Sequence, residues 1–297
     1  AVTQSEWIKN RIEARLPGIT VEIVRIKTKG DKILDSPLAK IGGKGLFVKE
    51  IEDALLRKDV DLAVHSIKDV PAELPEDLYL PVFPEREDPR DAFISRSYAS
   101  LGDLPAGARI GTGSLRRSSQ ILNICPEVQI IPLRGNVDTR LNKLESGEMD
   151  AVILAAAGLK RLGLSGRITQ LIPADALLPA IGQGALGLET RKDDNRTMEM
   201  LSFLNHRPTE LAVRAERAFL KKLEGGCQVP IAGFAVLEGT GVTLKGMVAE
   251  LDGSLVIKDE LSGSEDRPED LGIALAERLL IKGADRILEG VYGNKTG

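Results

Sequence analysis

A chain of 297 residues with 42% hydrophobic content is long enough for two or three domains. Its net charge of −4 argues against a general affinity for nucleic acid, and its longest apolar run, Ala151 to Leu159, is too short to span a bilayer. Two cysteines, two histidines and no signal-peptide pattern point to the cytoplasm and leave neither a disulfide framework nor a metal site to expect.

Trp7, Ile8, Ile12 and Leu16 recur at helical spacing, Pro17-Gly18 stops that helix, and Thr20 to Ile26 alternates like a strand. Phe47, Ile51, Ala54 and Leu55 line a second helix leading to a short buried strand, Leu62-Ala63-Val64. The unit recurs at Val137, Leu141 and Leu144, closed by Gly147 and followed by a strand over Ala151 to Leu154. Helix followed by buried aliphatic strand argues for parallel sheets in two similar α/β domains. Pro84 to Arg90 reads as a crossing between them, and Ile181-Gly182-Gln183-Gly184 as the return, with glycines able to act as a hinge. An amphipathic helix over Leu211 to Leu223 then ends at Gly225-Gly226-Cys227. Strand-like runs at Phe234–Leu237, Val242–Val248 and Leu255–Ile257 follow, with a helix over Pro268 to Ile281. The expected architecture is two α/β domains (residues 1–85 with 184–203, and 90–180) and a small α+β domain (206–297) carrying Cys227.

Chemistry concentrates in a few stretches. Gly111-Thr112-Gly113-Ser114-Leu115-Arg116-Arg117 follows a strand ending at Ile110 and opens a helix. Hydroxyls, free N–H groups and paired guanidiniums there make an anion site. Leu133-Arg134-Gly135-Asn136 with Arg140 repeats the arrangement after Gln129 to Ile131, and Arg161 follows the next strand. Several guanidinium forks at the carboxyl ends of strands suit a polycarboxylate. Ser66, Lys68 and Asp69 lie just past a buried strand, where a carboxylate can stabilise a cation or move protons. Gly42-Gly43-Lys44-Gly45 lacks the spacing of a phosphate loop and is read as a flexible basic loop. The glycines before Cys227 leave its sulfur uncrowded, as a covalent attachment point requires.

These segments resemble the porphobilinogen deaminase (hydroxymethylbilane synthase) family. The resemblance rests on Gly42 to Glu50, Ala63 to Pro71, Glu85 to Ala92, Ser114 to Arg117, Leu133 to Asn136, Gln183-Gly184 and Glu224 to Pro230. It implies two periplasmic-binding-protein-like α/β domains joined by a double-crossover hinge, and an α+β C-terminal domain. It implies an enzyme that joins four porphobilinogen units with loss of ammonia and releases hydroxymethylbilane. It further implies a dipyrromethane cofactor held by thioether to Cys227, with Asp69 hydrogen-bonding pyrrole N–H groups and stabilising the cation formed as ammonia leaves. Lys68, Thr112, Ser114, Arg116, Arg117, Arg134 and Arg140 match cofactor contacts. Ser66, Arg161, Gln183, Lys44 and Phe47 match substrate contacts, the last two on a mobile loop. A monomer without nucleic-acid or membrane partners is expected.

Two departures stand out. The family's opening strand and Arg-x-Ser segment would precede Ala1, and the given sequence is expected to start after them. Gly113 stands where a serine is common. Two rival readings are a cysteine hydrolase pairing Cys227 with His65, and a hinged binding protein for a polycarboxylate. The first is disfavoured because Cys227 follows a helix C-terminus near Glu224, which opposes thiolate formation. The second explains the arginines but not the Gly-Gly-Cys turn.

Overall fold

The first helix forms where the apolar spacing places it. In the computed structural model, which describes residues 2–28, 48–224 and 229–293, α1 (Val2–Arg15) buries Ile8 and Ile12 against Val82, Leu188 and Leu201. The strand expected over Thr20 to Ile26 does not form; residues 19–28 have no regular structure. Val21 N–H donates to Glu13 Oε1 at 2.8 Å, and Lys9 Nζ donates to the Val21 carbonyl. Side chains of α1 thus occupy both backbone groups of Val21, which a neighbouring strand would have used. Next come α2 (Lys49–Leu56), β1 (Ala63–Ser66), a 3-10 turn (Ile67–Asp69) and β2 (Leu78–Val82).

Residues 83–90 carry the chain to a second sheet. Its elements are β3 (Asp91–Ser95), β4 (Arg109–Gly111), α3 (Leu115–Ile124), β5 (Gln129–Ile131), α4 (Val137–Glu145), β6 (Ala151–Ala155), α5 (Ala156–Arg161) and β7 (Gln170–Leu171). The five strands lie in the order β5-β4-β6-β3-β7. β4 runs parallel to β5 and β6, while β3 is antiparallel to β6 and β7. Successive residues of β3 and β6 feed opposite cores. Ala92, Ile94, Val152 and Leu154 pack with Leu141 and Leu144 of α4; Phe93, Ala151 and Ile153 pack with Ile121 of α3. Burial on both faces makes β6 an unbroken apolar run.

Residues 172–185 return the chain to β8 (Leu186–Arg191) and α6 (Asn195–Leu201). The first sheet has the order β1-β8-β2, and both pairings are antiparallel, against the parallel expectation. β8 gives no strand signal because its wholly buried residues include Glu189, Thr190 and Arg191. Arg191 donates to the carbonyls of Leu55 and Val60 and to Asp61 and Asp194, which makes its burial tolerable.

The last part comprises α7 (Arg207–Lys222), β9 (Ile231–Glu238), β10 (Gly241–Ala249), β11 (Val256–Ser264), α8 (Pro268–Leu279) and α9 (Asp285–Gly293). Its antiparallel sheet, β11-β10-β9, shares a core with Leu211, Ala215 and Phe219 of α7 and Leu271, Leu275 and Leu279 of α8. β11 runs past the expected Ile257, since its polar residues alternate towards solvent. Glu216 of α7, fully buried, binds the three parts together. It accepts from Arg86 Nη1 at 2.6 Å, Gly182 N–H at 2.6 Å and Ala235 N–H at 2.9 Å.

Candidate active site

Arg116 and Arg117 occupy the first turn of α3, where two cations would ordinarily oppose the helix dipole. Asp91, fully buried at the start of β3, compensates them. Its Oδ2 accepts from Arg116 Nη1 at 2.6 Å, and its Oδ1 accepts from Arg117 Nε at 2.9 Å and Gln183 Nε2 at 3.0 Å. Burial acts to raise the Asp91 pKa, but the two guanidiniums outweigh it and hold the carboxyl at about 2. Arg116 also donates to the Leu178 carbonyl, and Arg117 to that of Ile153.

One carboxylate against this group leaves positive charge in surplus. Arg140, on α4, donates Nε–H to the Gly135 carbonyl at 2.9 Å. Burial depresses its pKa, and the nearby charges of Arg117 and Arg134 depress it further. Among the described residues no carboxylate pairs with Arg134 or Arg140. The loop is set by Gly135 at φ +107, a conformation that favours glycine, and by Asn136, which caps α4 by accepting from Thr139 N–H. Thr112 is buried between β4 and this loop: Leu133 N–H donates to its carbonyl, and its Oγ1 accepts from Ser114 N–H at 3.2 Å. A side chain at Gly113 would lie 2.6 Å from the Leu133 carbonyl oxygen, so a serine there needs a shifted backbone.

The Asp69 turn meets the same region through the returning crossing. Ile67 is buried and Val70 is buried, which leaves Lys68 and Asp69 exposed between two anchors. Ile67 N–H donates to the Ala185 carbonyl, and a Cβ on Gly182 would lie 2.1 Å from Ile67 Cγ2. Gly184 stands as close to the outgoing crossing, where a Cβ would lie 2.3 Å from the Glu87 carbonyl oxygen. These glycines, at φ +67 and +87, serve close approach of backbones. Between them Gln183 donates to Asp91 and to the Pro89 carbonyl and accepts from Arg116. Arg161 follows β6 as the last residue of helix α5 and donates to the Gly184 carbonyl at 2.7 Å; burial depresses its pKa against the pull of Glu87. Ser66 hydrogen-bonds Gln4.

Cys227, Lys44 and Phe47 lie outside the described residues. His65 is buried, with its Nε2 2.8 Å from Glu189 Oε2. Composition and spacing pointed to neither Asp91 nor Glu189 as site-organising residues.

A family model for "porphobilinogen deaminase, dipyromethane cofactor binding domain" matches residues 1–199, and one for the C-terminal domain of porphobilinogen deaminase matches 210–281. The chain belongs to the porphobilinogen deaminase family. Curated family members from Trichlorobacter lovleyi and Geobacter metallireducens are 57% and 56% identical to it over 98% of its length, covering 93% and 92% of their own. One similar solved structure is the periplasmic aliphatic sulphonate binding protein SsuA from Escherichia coli. It is 14% identical with a TM-score of 0.41, covering 75% of this chain and 68% of that one. All the arginines above fall within the cofactor-binding model of the family, and Cys227 within its C-terminal model.

The residues present fit a carboxylate-bearing dipyrromethane. Arg116 Nε is buried without a hydrogen-bond partner, and the guanidiniums of Arg134 and Arg140 are left without a carboxylate among the described residues. Unfilled cationic donors at one place call for an anionic ligand. No helix among the described residues is long and apolar enough to cross a membrane.

Proposed function

We infer that the chain has hydroxymethylbilane synthase activity. It joins four porphobilinogen molecules head to tail, with loss of ammonia at each joining, and releases the linear product by hydrolysis. Family membership across the chain supports the reaction class. The structural observation that carries the reading is the grouping of Arg117, Arg134 and Arg140, whose charges outnumber Asp91. Each porphobilinogen brings an acetate and a propionate, so a growing chain accumulates the negative charge this grouping neutralises.

The dipyrromethane, when bound, supplies the free pyrrole carbon to which the first substrate is joined. In this reading Cys227 is its thioether anchor, and Arg116, Arg117, Arg134 and Arg140, with Lys68, Thr112 and Ser114, hold its carboxylates. Asp69 accepts a hydrogen bond from the substrate pyrrole N–H and offsets the positive charge that develops on substrate as ammonia departs. Gln183 acts by orienting Arg116 and Asp91, and Arg161 binds substrate carboxylate beside the crossing. Lys44, Phe47 and Ser66 complete the substrate contacts. In this reading the enzyme works as a monomer in the cytoplasm without nucleic acid; sparse cysteine supports the compartment, and a net charge of −4 supports the lack of a nucleic-acid partner.

Incubation with porphobilinogen tests the reading. Ammonia release should match substrate consumption, with a linear tetrapyrrole that closes and oxidises to porphyrin. Asp69→Asn should keep the bound pyrroles and lose most turnover. Purified protein that consumes no porphobilinogen would refute the activity, and near-normal rates in Asp69→Asn would remove that carboxylate from it.

A further inference from the structure

Arg217 is a half-buried cation that the chemistry above leaves unused. It sits on α7, next to Glu216, yet donates to none of that residue's partners. Its guanidinium instead donates to three successive carbonyls of another part of the chain: Val70 at 3.5 Å, Pro71 at 2.8 Å and Ala72 at 3.2 Å. Those residues directly follow Asp69. Burial pulls the Arg217 pKa down, opposed by the charge of Glu189 across the first sheet. A guanidinium fork that donates to three successive carbonyls restrains the backbone that carries them.

The turn has few other restraints on that side. Ile67 is fixed by Ala185 and by packing against Gly182, and Val70 N–H closes the turn onto the Ile67 carbonyl. Beyond Val70, residues 71–77 form no helix or strand; the fork of Arg217 pins their start, and an exposed ion pair from Lys221 of the same helix reaches Glu73 at 3.3 Å. The same helix runs six residues on, about 9 Å, to buried Leu223 and the approach to Cys227. One rigid element therefore carries both the clamp and the lead-in to the cofactor anchor.

We propose that Arg217 is a positioning residue: from α7 it fixes the turn that carries Asp69, and with it the reach of that carboxylate towards substrate. The proposal rests on the reading of Asp69 as the catalytic carboxylate. It gives the C-terminal part of the chain a role in the reaction beyond anchoring.

The test compares Arg217→Gln, Arg217→Lys and Asp69→Asn in the holoenzyme, by hydrogen exchange and by steady-state kinetics. Lysine keeps the charge facing Glu189 and so protects folding, but it has no fork to hold three carbonyls. In Arg217→Gln, exchange in the peptide 66–73 should rise at least tenfold while β9 to β11 keep their protection. Its kcat should fall by about tenfold to a hundredfold with KM within about twofold, the pattern of a misplaced catalytic group. Arg217→Lys should fall between the wild type and Arg217→Gln on both readouts. Unchanged exchange in 66–73 overturns the clamp, whatever the rate. A loosened turn with undiminished kcat overturns the positioning role if Asp69→Asn is inactive. If Asp69→Asn is itself active, the reading of Asp69 fails instead.

Discussion

Arg116 grips both oxygens of Asp91, with Nη1 2.6 Å from Oδ2 and Nη2 3.2 Å from Oδ1. The grip is buried on both sides, so removing one partner strands the other's charge. Asp91→Asn is expected to cost about 3–5 kcal/mol of stability, read by chemical denaturation, and to impair holoenzyme formation. The Asp91 pKa is lowered, so its contribution is present above about pH 4 and is lost as pH falls towards 2. The difference between wild type and Asp91→Asn should therefore shrink only in strong acid.

Among the described residues Arg134 and Arg140 have no carboxylate partner to lose, so their removal should relieve repulsion and leave the fold intact. Arg134→Leu or Arg140→Leu should melt at or above the wild-type temperature. Pyrrole attachment or turnover should drop by about tenfold or more, the worth of a charged hydrogen bond. Unimpaired turnover in both would return these side chains to a solvated surface.

The folded-state pKa of Glu52 lies at about 6, raised by burial and by Glu189 and partly offset by His65. A carboxyl with a raised pKa stabilises the fold below its unfolded value near 4.5, and that stability is lost as pH rises through 6. Glu52→Gln should thus match the wild type near pH 4 and exceed it at pH 8. Denaturation midpoints measured at both pH values check the sign.

Local signals were readable where burial and spacing agree. Ala151 to Leu154 announces a strand because both its faces are covered, and the arginine-bearing loops announce themselves by following strand ends. Long-range polar pairings leave no such trace. Asp91 meets Arg116 across 25 positions and Arg86 meets Glu216 across 130, and no window of sequence contains either pair. β8 was hidden because Glu189 and Arg191 are buried only by virtue of partners elsewhere. Thr20 to Ile26 misled for the opposite reason: its alternation is real, but its backbone bonds to α1.

The intact mass of the purified protein tests the central claim most directly. The native chain should carry the extra mass of two linked pyrrole units, released in proteolysis on the peptide containing Cys227 and missing from Cys227→Ala. A turning-over preparation at its bare polypeptide mass, or an adduct that survives Cys227→Ala, would contradict the account.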